Sequence, residues 1–206
     1  MTHKKLSRKE KREKLIFEFK RKTIHFLASL YIAAYWIIMK ILGHQIAMLF
    51  LVATLMFFIT LEFFRIAEHR RIPIFHILWR AKEENSLGGQ VYFMLGLIIA
   101  LAVFDFDIAL AVVLMTVFGD MAAAIFGIAF GKHWIKKLNE TAWEGVIAEL
   151  VVDIAIGLLI LGNWVIVIPI ALMATLVETI FSHVDDNLAI PLFAGFIGQC
   201  IKLILH

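Results

Sequence analysis

Three consecutive polar residues, Asp185, Asp186 and Asn187, interrupt a stretch that is otherwise apolar enough to enter a membrane. Two adjacent carboxylates at a membrane boundary are unfavourable unless water, a metal ion or a partner compensates them. Carboxylate oxygens are the protein ligands that Mg²⁺ prefers, and Mg²⁺ held in this way commonly carries phosphates. The cluster therefore indicates a cation site that could hold a phosphorylated ligand.

A further carboxylate, Asp120, follows Gly119 at the start of a stripe of small residues. The small residues recur at every fourth position, at 119, 123, 127 and 131. This spacing predicts a close contact between two helices, which explains the glycines and leaves Asp120 unexplained. A carboxylate beside accessible backbone suits a Mg²⁺–phosphate group.

The loop that follows, 131–144, contains Lys136, Lys137, Thr141 and Glu144. Basic side chains and the N–H groups at the start of the next helix could hold an anion. An ordinary loop is also consistent with these residues, with Thr141 as the helix N-cap and Glu144 closing a capping box. The two interpretations are compatible with each other.

Acids also lie inside the apolar segments, where a central carboxylate costs about 2.5–3.5 kcal/mol. Glu62 and Arg65 are three residues apart, so they could form an ion pair on one helix face or belong to a site. Glu149 and Asp153 share a face and repel each other unless a cation, a proton or a basic neighbour compensates them. Both structural and functional explanations remain open for that pair.

The composition is that of a membrane protein. The chain is 62% hydrophobic, with a mean hydropathy of +0.88, and its apolar segments continue to the C-terminus, which excludes a lone signal peptide. The single cysteine, Cys200, excludes a disulfide framework and a cysteine-based zinc site. We expect an all-α, polytopic membrane bundle of about seven transmembrane helices over 24–206, preceded by a basic amphipathic arm over 1–23. The predicted spans are 24–41, 45–63, 90–104, 107–130, 145–162, 164–182 and 188–205.

The basic residues predict the orientation. With the N-terminus in the cytosol, all of the 20 lysines and arginines except Lys40 and Lys202 fall on the cytosolic side, as the positive-inside rule requires. The segment 65–89 is then a cytosolic interfacial helix and loop. The basic arm is best explained by anionic lipid headgroups rather than by nucleic acid. The polar clusters therefore face the cytosol, and the expected location is a prokaryotic plasma membrane.

Together these stretches resemble the CTP-dependent lipid kinase family, which includes dolichol kinase, phytol kinase and the CTP-using diacylglycerol kinase of fungi. In the loop 131–144 the family's Asn-Lys-Ser/Thr-x-Glu-Gly segment is altered, because Glu140 follows Asn139 where a lysine is expected. That loop also resembles a region of CDP-diacylglycerol synthases. The similar stretches are Lys20-Arg21-Lys22 with His25, Glu62 with Arg65, Arg80 with Glu83, Gly88-Gly89 with Tyr92 and Gly96, Gly119-Asp120 with Gly127 and Gly131, and Asp185-Asp186-Asn187 with Pro191.

The resemblance implies transfer of the γ-phosphate of CTP to the hydroxyl of a polyprenol, dolichol or related isoprenoid alcohol, giving a lipid monophosphate. Phosphoryl transfer depends on positioning and charge neutralisation. Asp120 and Asp186 would bind Mg²⁺. The candidate catalytic residues are Asp120, Asp185, Asp186, Glu144 and Glu178, and which of Asp185, Glu144 and Glu178 serves the alcohol is open. The candidate CTP-binding residues are Lys22, His25, Arg65, Lys136, Lys137, Thr141 and Asn187.

Alternative functions remain at this point. A CTP-dependent diacylglycerol kinase, a cytidylyltransferase that forms a CDP-lipid and a small ion-coupled transporter are each consistent with acids in apolar helices. Because nearly all the polar groups are predicted in the cytosolic half of the chain's spans, the kinase is favoured over the transporter. The expected partners are the lipid alcohol, CTP and membrane lipids, with no nucleic acid, and a homo-oligomer is left open.

Overall fold

The computed structural model describes residues 12, 15–16, 26–27, 29–67, 86–135, 141–180 and 184–205. Within these ranges the chain is all-helical, as predicted, apart from one isolated β-bridge between Trp134 and Ala142. The seven helices are α1 (Leu30–Leu42), α2 (His44–Ala67), α3 (Gly89–Val103), α4 (Phe106–Phe130), α5 (Trp143–Leu161), α6 (Trp164–Ile180) and α7 (Asp186–Leu205).

Three of the described helices are long and apolar enough to cross a membrane: α2, α4 and α7. The helices α1, α3 and α6 are apolar and shorter. Helix α5 is apolar but carries three carboxylates, Glu144, Glu149 and Asp153, and it is not among these long apolar helices. Many large apolar side chains on the outside of the bundle are exposed, which is the surface expected of helices that face lipid.

Helix α4 is the centre of the bundle, and its buried side includes Ile108, Val112, Met115, Gly119 and Asp120. Helices α5 and α7 both pack on it. The small-residue stripe of α4 faces α5, because a Cβ on Gly145 of α5 would come 2.7 Å from the carbonyl oxygen of Ala123. The helix–helix contact predicted from the stripe is confirmed.

The order of contacts gives the direction of each helix. Gly119 of α4 meets Asp153 of α5, whereas Gly131 meets Ala142, so these helices are antiparallel. Helices α3 and α7 are parallel, since Gly96 meets Asn187 and the later Gly195 meets Phe104. The ends of α2, α4 and α6 and the starts of α3, α5 and α7 therefore lie at one end of the bundle, which we call the acidic end.

The opposite end is closed by a separate polar contact. Lys202, in the last turn of α7, forms salt bridges with Asp105 at 2.8 Å and Asp107 at 3.1 Å. The amide oxygen of Gln199 accepts a hydrogen bond from the Asp105 N–H at 2.9 Å. These bonds join the start of α4 to the end of α7 and involve none of the predicted site residues.

Two sequence-based boundaries were wrong. Helix α2 continues to Ala67, so Arg65 lies on a helix rather than in the predicted interfacial segment. Thr141 is not the N-cap of α5. The capping position is Ala142, which makes no side-chain hydrogen bond. Glu144 does not close a capping box, since its carboxylate bonds to His133. Most of the predicted arm 1–23 and interfacial segment 65–89 lies outside the described residues.

Candidate functional site

The Asp185-Asp186-Asn187 cluster forms the first turn of α7. The Asn187 side-chain amide donates to Asp185 Oδ1 at 2.7 Å and to Asp186 Oδ1 at 3.1 Å. The Asn187 backbone N–H donates to the same two oxygens, at 3.1 and 2.9 Å. Asp185 therefore caps α7, and one buried asparagine holds both carboxylates side by side.

The position of this cluster is set by α3. A Cβ added to Gly96 would come 2.5 Å from the carbonyl oxygen of Asn187 and 3.3 Å from Pro191. A side chain at position 96 would therefore force the two helices apart. The glycine that the sequence places inside α3 is what allows the acidic turn of α7 to approach so closely.

Asp120 lies on α4 and is 8% exposed. Its neighbour Gly119 is covered by α5, because a Cβ there would come 2.5 Å from Asp153 Oδ1 and 3.3 Å from Glu149 Cγ. The stripe of small residues thus serves helix packing. Asp120 belongs to the buried side of the same helix and is an ionisable group that packing alone does not require.

Three further acids lie on α5 and α6. Glu149 and Asp153 are 2% and 1% exposed, and Glu178 lies near enough to Asp153 to act on it as a like charge. Thr175 Oγ1 donates to Asp153 Oδ2 at 3.3 Å. Glu178 is thus brought to the α5–α6 interface.

Glu62 and Arg65 form the ion pair that their spacing predicted. Glu62 Oε1 accepts from the Gln90 side chain at 2.9 Å, and Oε2 accepts from the Gly88 N–H at 3.2 Å. Arg65 also donates to the Ser86 carbonyl oxygen at 2.6 Å. The pair therefore anchors the start of α3 to the end of α2, and the Arg65 guanidinium is bonded within the protein.

Glu144 closes the loop before α5. Its carboxylate accepts from the His133 backbone N–H at 3.2 Å and shares a 2.8 Å hydrogen bond with the His133 ring. Desolvation raises the pKa of the Glu144 carboxyl. Hydrogen bonds from its own N–H, from His133 and from the Lys132 N–H stabilise the carboxylate more strongly, and they lower the pKa to about 2. A carboxylate with so low a pKa is a weak general base at neutral pH.

The structure gathers Asp185, Asp186 and Asn187 into one turn. Glu178 lies with Asp153 at the α5–α6 interface. Arg65 lies in the last turn of α2 and bonds to Ser86, just before α3. Thr141 lies in the loop, where its carbonyl oxygen accepts from the Ile135 N–H at 3.0 Å. The candidates outside the described residues are Lys22, His25, Lys136 and Lys137.

Sequence reasoning missed three polar partners. Gln90 bonds Glu62, His133 bonds Glu144 and Thr175 bonds Asp153. Gln90 directly follows the Gly88-Gly89 pair at the start of α3, which is a local signal that could have found it. His133 and Thr175 lie 11 and 22 residues from their partners, and no spacing rule relates them to those partners.

The residues present are chemically suited to Mg²⁺. The described ranges contain no group of three or more His, Cys, Asp or Glu side chains placed to hold a metal ion. Mg²⁺ is commonly bound through one or two carboxylates together with phosphate oxygens and water. Asp185 and Asp186, held by one amide group, provide hard oxygen donors of that kind.

No family model, no curated protein and no solved structure matches this chain.

Proposed function

We propose that this chain is an integral membrane kinase that transfers the γ-phosphate of CTP to the hydroxyl of an isoprenoid alcohol of the polyprenol or dolichol type. In this proposal all seven helices cross the membrane, and the N-terminus and the acidic end face the cytosol. The proposal rests on the sequence resemblance, on the positive-inside charge distribution and on the arrangement of the acidic end.

The observation that best supports the proposal is the contact between Gly96 and Asn187. It holds the paired carboxylates of α7 against α3 at the acidic end. The loop 131–144 begins at that end, and Asp120 lies in the half of α4 nearer to it. Motifs from α3, α4, α7 and this loop, which are far apart in sequence, therefore share one end of the bundle, as a nucleotide site built from several segments would require.

In the reaction the alcohol oxygen attacks the γ-phosphorus, the bond from that phosphorus to the bridging oxygen breaks, and CDP leaves. The alcohol proton passes to a carboxylate. Asp120 and Asp186 would hold Mg²⁺, which would supply charge neutralisation on the triphosphate. Lys136 and Lys137 are the basic residues proposed for the phosphates.

Among the candidate bases, Asp185 is favoured by its place beside Asp186 in the same turn. Glu144 is disfavoured because the pKa of its carboxyl is about 2. Glu178 lies in the interior, where it acts on Asp153 as a like charge. Arg65 is bonded to Glu62 and Ser86, so its proposed contact with a phosphate would require these bonds to break, and we propose a structural role for it instead.

The test is product analysis with purified protein, Mg²⁺ and two forms of CTP, one labelled at the γ-phosphate and one in cytidine. The acceptors are a polyprenol, phytol or geranylgeraniol, diacylglycerol and phosphatidate. Label from the γ-phosphate in an isoprenoid lipid supports the proposal. The same label only in diacylglycerol would indicate the alternative kinase, and cytidine in the lipid would indicate a CDP-lipid synthase. No lipid product with any acceptor would refute both enzyme classes.

A further inference from the structure

A layer of polar groups crosses the interface between α5 and α6 inside the bundle. Thr175 donates to Asp153 Oδ2 at 3.3 Å, so these two side chains face each other across the interface. Glu149 lies one turn before Asp153, and Thr179 lies one turn after Thr175. Because α5 and α6 are antiparallel, Glu149 and Thr179 lie at the same height in the bundle. They form a second row of polar residues next to the row of Asp153 and Thr175.

Two oxygens of this layer are buried without a hydrogen-bond partner among the described residues: Asp153 Oδ1 and Thr179 Oγ1. Asp153 as a whole is 1% exposed. Its Oδ1 lies against the backbone of Gly119 on α4, so it is enclosed by α4, α5 and α6. Buried polar atoms are nearly always satisfied by protein, water or an ion, so two unsatisfied oxygens one helical turn apart indicate that a group binds between these helices.

The described ionisable groups near Asp153 are acids. Glu178, on α6, acts on it as a like charge, and Glu149 lies one turn away on the same helix face. No Lys, Arg or His of the described ranges forms a salt bridge with Asp153. An acid in apolar surroundings with a like-charged neighbour requires a positive charge or a proton.

We propose that this layer binds one monovalent alkali cation, with Na⁺ as the ion to test. A proton on Asp153 would satisfy Oδ1 and leave the Thr179 hydroxyl unsatisfied, whereas one cation takes lone pairs from a carboxylate and a hydroxyl together.

This inference does not depend on the proposed kinase activity, because it concerns binding in the absence of CTP and Mg²⁺. The full chain in detergent is placed in EDTA at constant pH and ionic strength, and choline chloride is replaced by NaCl. We expect the unfolding midpoint to rise and saturate, by about 5–10 °C when Na⁺ is a hundred times its dissociation constant. Radioactive sodium should bind at one ion per chain.

Asp153→Asn keeps the shape of the side chain and removes its charge, and it should abolish both the midpoint shift and sodium binding. Thr179→Val removes only the hydroxyl and should weaken sodium binding in a chain that still folds. Asp107→Asn, at the opposite end of the bundle, is the matched control and should leave sodium binding unchanged. Superimposable NaCl and choline chloride curves for the wild type would refute the proposal. So would a midpoint that responds to pH and not to Na⁺, which would indicate a proton in the layer, or unaltered sodium binding in Asp153→Asn.

Discussion

Gly96 of α3 and Asn187 of α7 are in direct contact, with the Asn187 carbonyl oxygen 2.5 Å from where a Cβ on Gly96 would be. The same asparagine donates hydrogen bonds to Asp185 and Asp186. One residue therefore connects the packing of two helices with the arrangement of two carboxylates. A change in the α3–α7 spacing should move the acidic turn as a whole.

The first prediction concerns this spacing. Gly96→Ala should lower the free energy of unfolding by about 1–3 kcal/mol, because the added methyl group meets backbone and cannot be accommodated without a helix shift. Thermal unfolding of the detergent-solubilised protein measures the change. Gly127→Ala is the control, since its Cβ would lie 3.8 Å from the nearest atom, in ordinary van der Waals contact. Equal destabilisation by the two substitutions would contradict the proposed packing.

The second prediction separates a structural role for Arg65 from a role in nucleotide binding. Glu62 is 1% exposed in its ion pair with Arg65, so Glu62→Gln should destabilise the protein by about 3–5 kcal/mol. A double-mutant cycle with Arg65→Met, measured without CTP, should give a coupling energy of about 1–3 kcal/mol.

The control cycle for that pair uses Lys202→Met and Asp107→Asn at the opposite end. The Asp107 side chain is 52% exposed, so this coupling should fall below about 1 kcal/mol. If the Glu62–Arg65 coupling were as small as the control, Arg65 would not be held by Glu62 and would again be a candidate for phosphate binding.

The third prediction concerns pH and the loop before α5. The pKa of Glu144 is lowered in the folded protein from 4.5 to about 2. Its bonds to His133 therefore stabilise the folded protein at pH values above 4.5. That contribution is lost as the pH falls towards 2. The difference in unfolding midpoint between wild type and Glu144→Gln should shrink progressively as the pH is lowered from about 5 to 3. A difference that grows on acidification would show that another group governs the loop.

The fourth prediction concerns the carboxylates proposed for Mg²⁺. Asp120→Asn and Asp186→Asn should each reduce turnover by at least about 100-fold, because each removes a charge that neutralises the triphosphate. The unfolding midpoint of each variant shows whether the protein still folds, since asparagine keeps the shape of the side chain and removes its charge. Kinase activity and unfolding are measured on the same samples, with Asp107→Asn as an active control. Near-normal activity of either variant with Mg²⁺ would exclude that residue as a metal ligand.

Much of the helical arrangement was predictable from sequence because it depends on local patterns. The apolar runs predicted a helix near each of the seven observed ones. The four-residue spacing of small side chains predicted a close contact between helices, which α4 makes with α5 where Ala123 meets Gly145. The boundary of α2 was wrong because Arg65 was assigned by its charge to the interfacial segment 65–89. The helix continues through it since Glu62, one turn earlier, neutralises the guanidinium.

The residue types of the candidate site were also readable in the chain. Asp120, Asp185 and Asp186 are conspicuous because carboxylates in apolar segments are unfavourable and need a compensating group. The roles of Arg65 and Glu144 were not readable, because each depends on a partner whose position is set by folding. Ser86 and Gly88 come to Arg65 and Glu62 from the far side of a long connection, and His133 reaches Glu144 across a loop.

The sequence by itself determined which segments are helical and which ionisable groups they carry, because hydrophobic periodicity and charge are properties of neighbouring residues. The tertiary structure decided which of those groups meet. Gly96 allows α7 to approach α3, and Gly119 allows Asp153 to lie against α4. A glycine in a helix is visible in the sequence, but the atom that occupies the space it leaves is determined only when the helices pack.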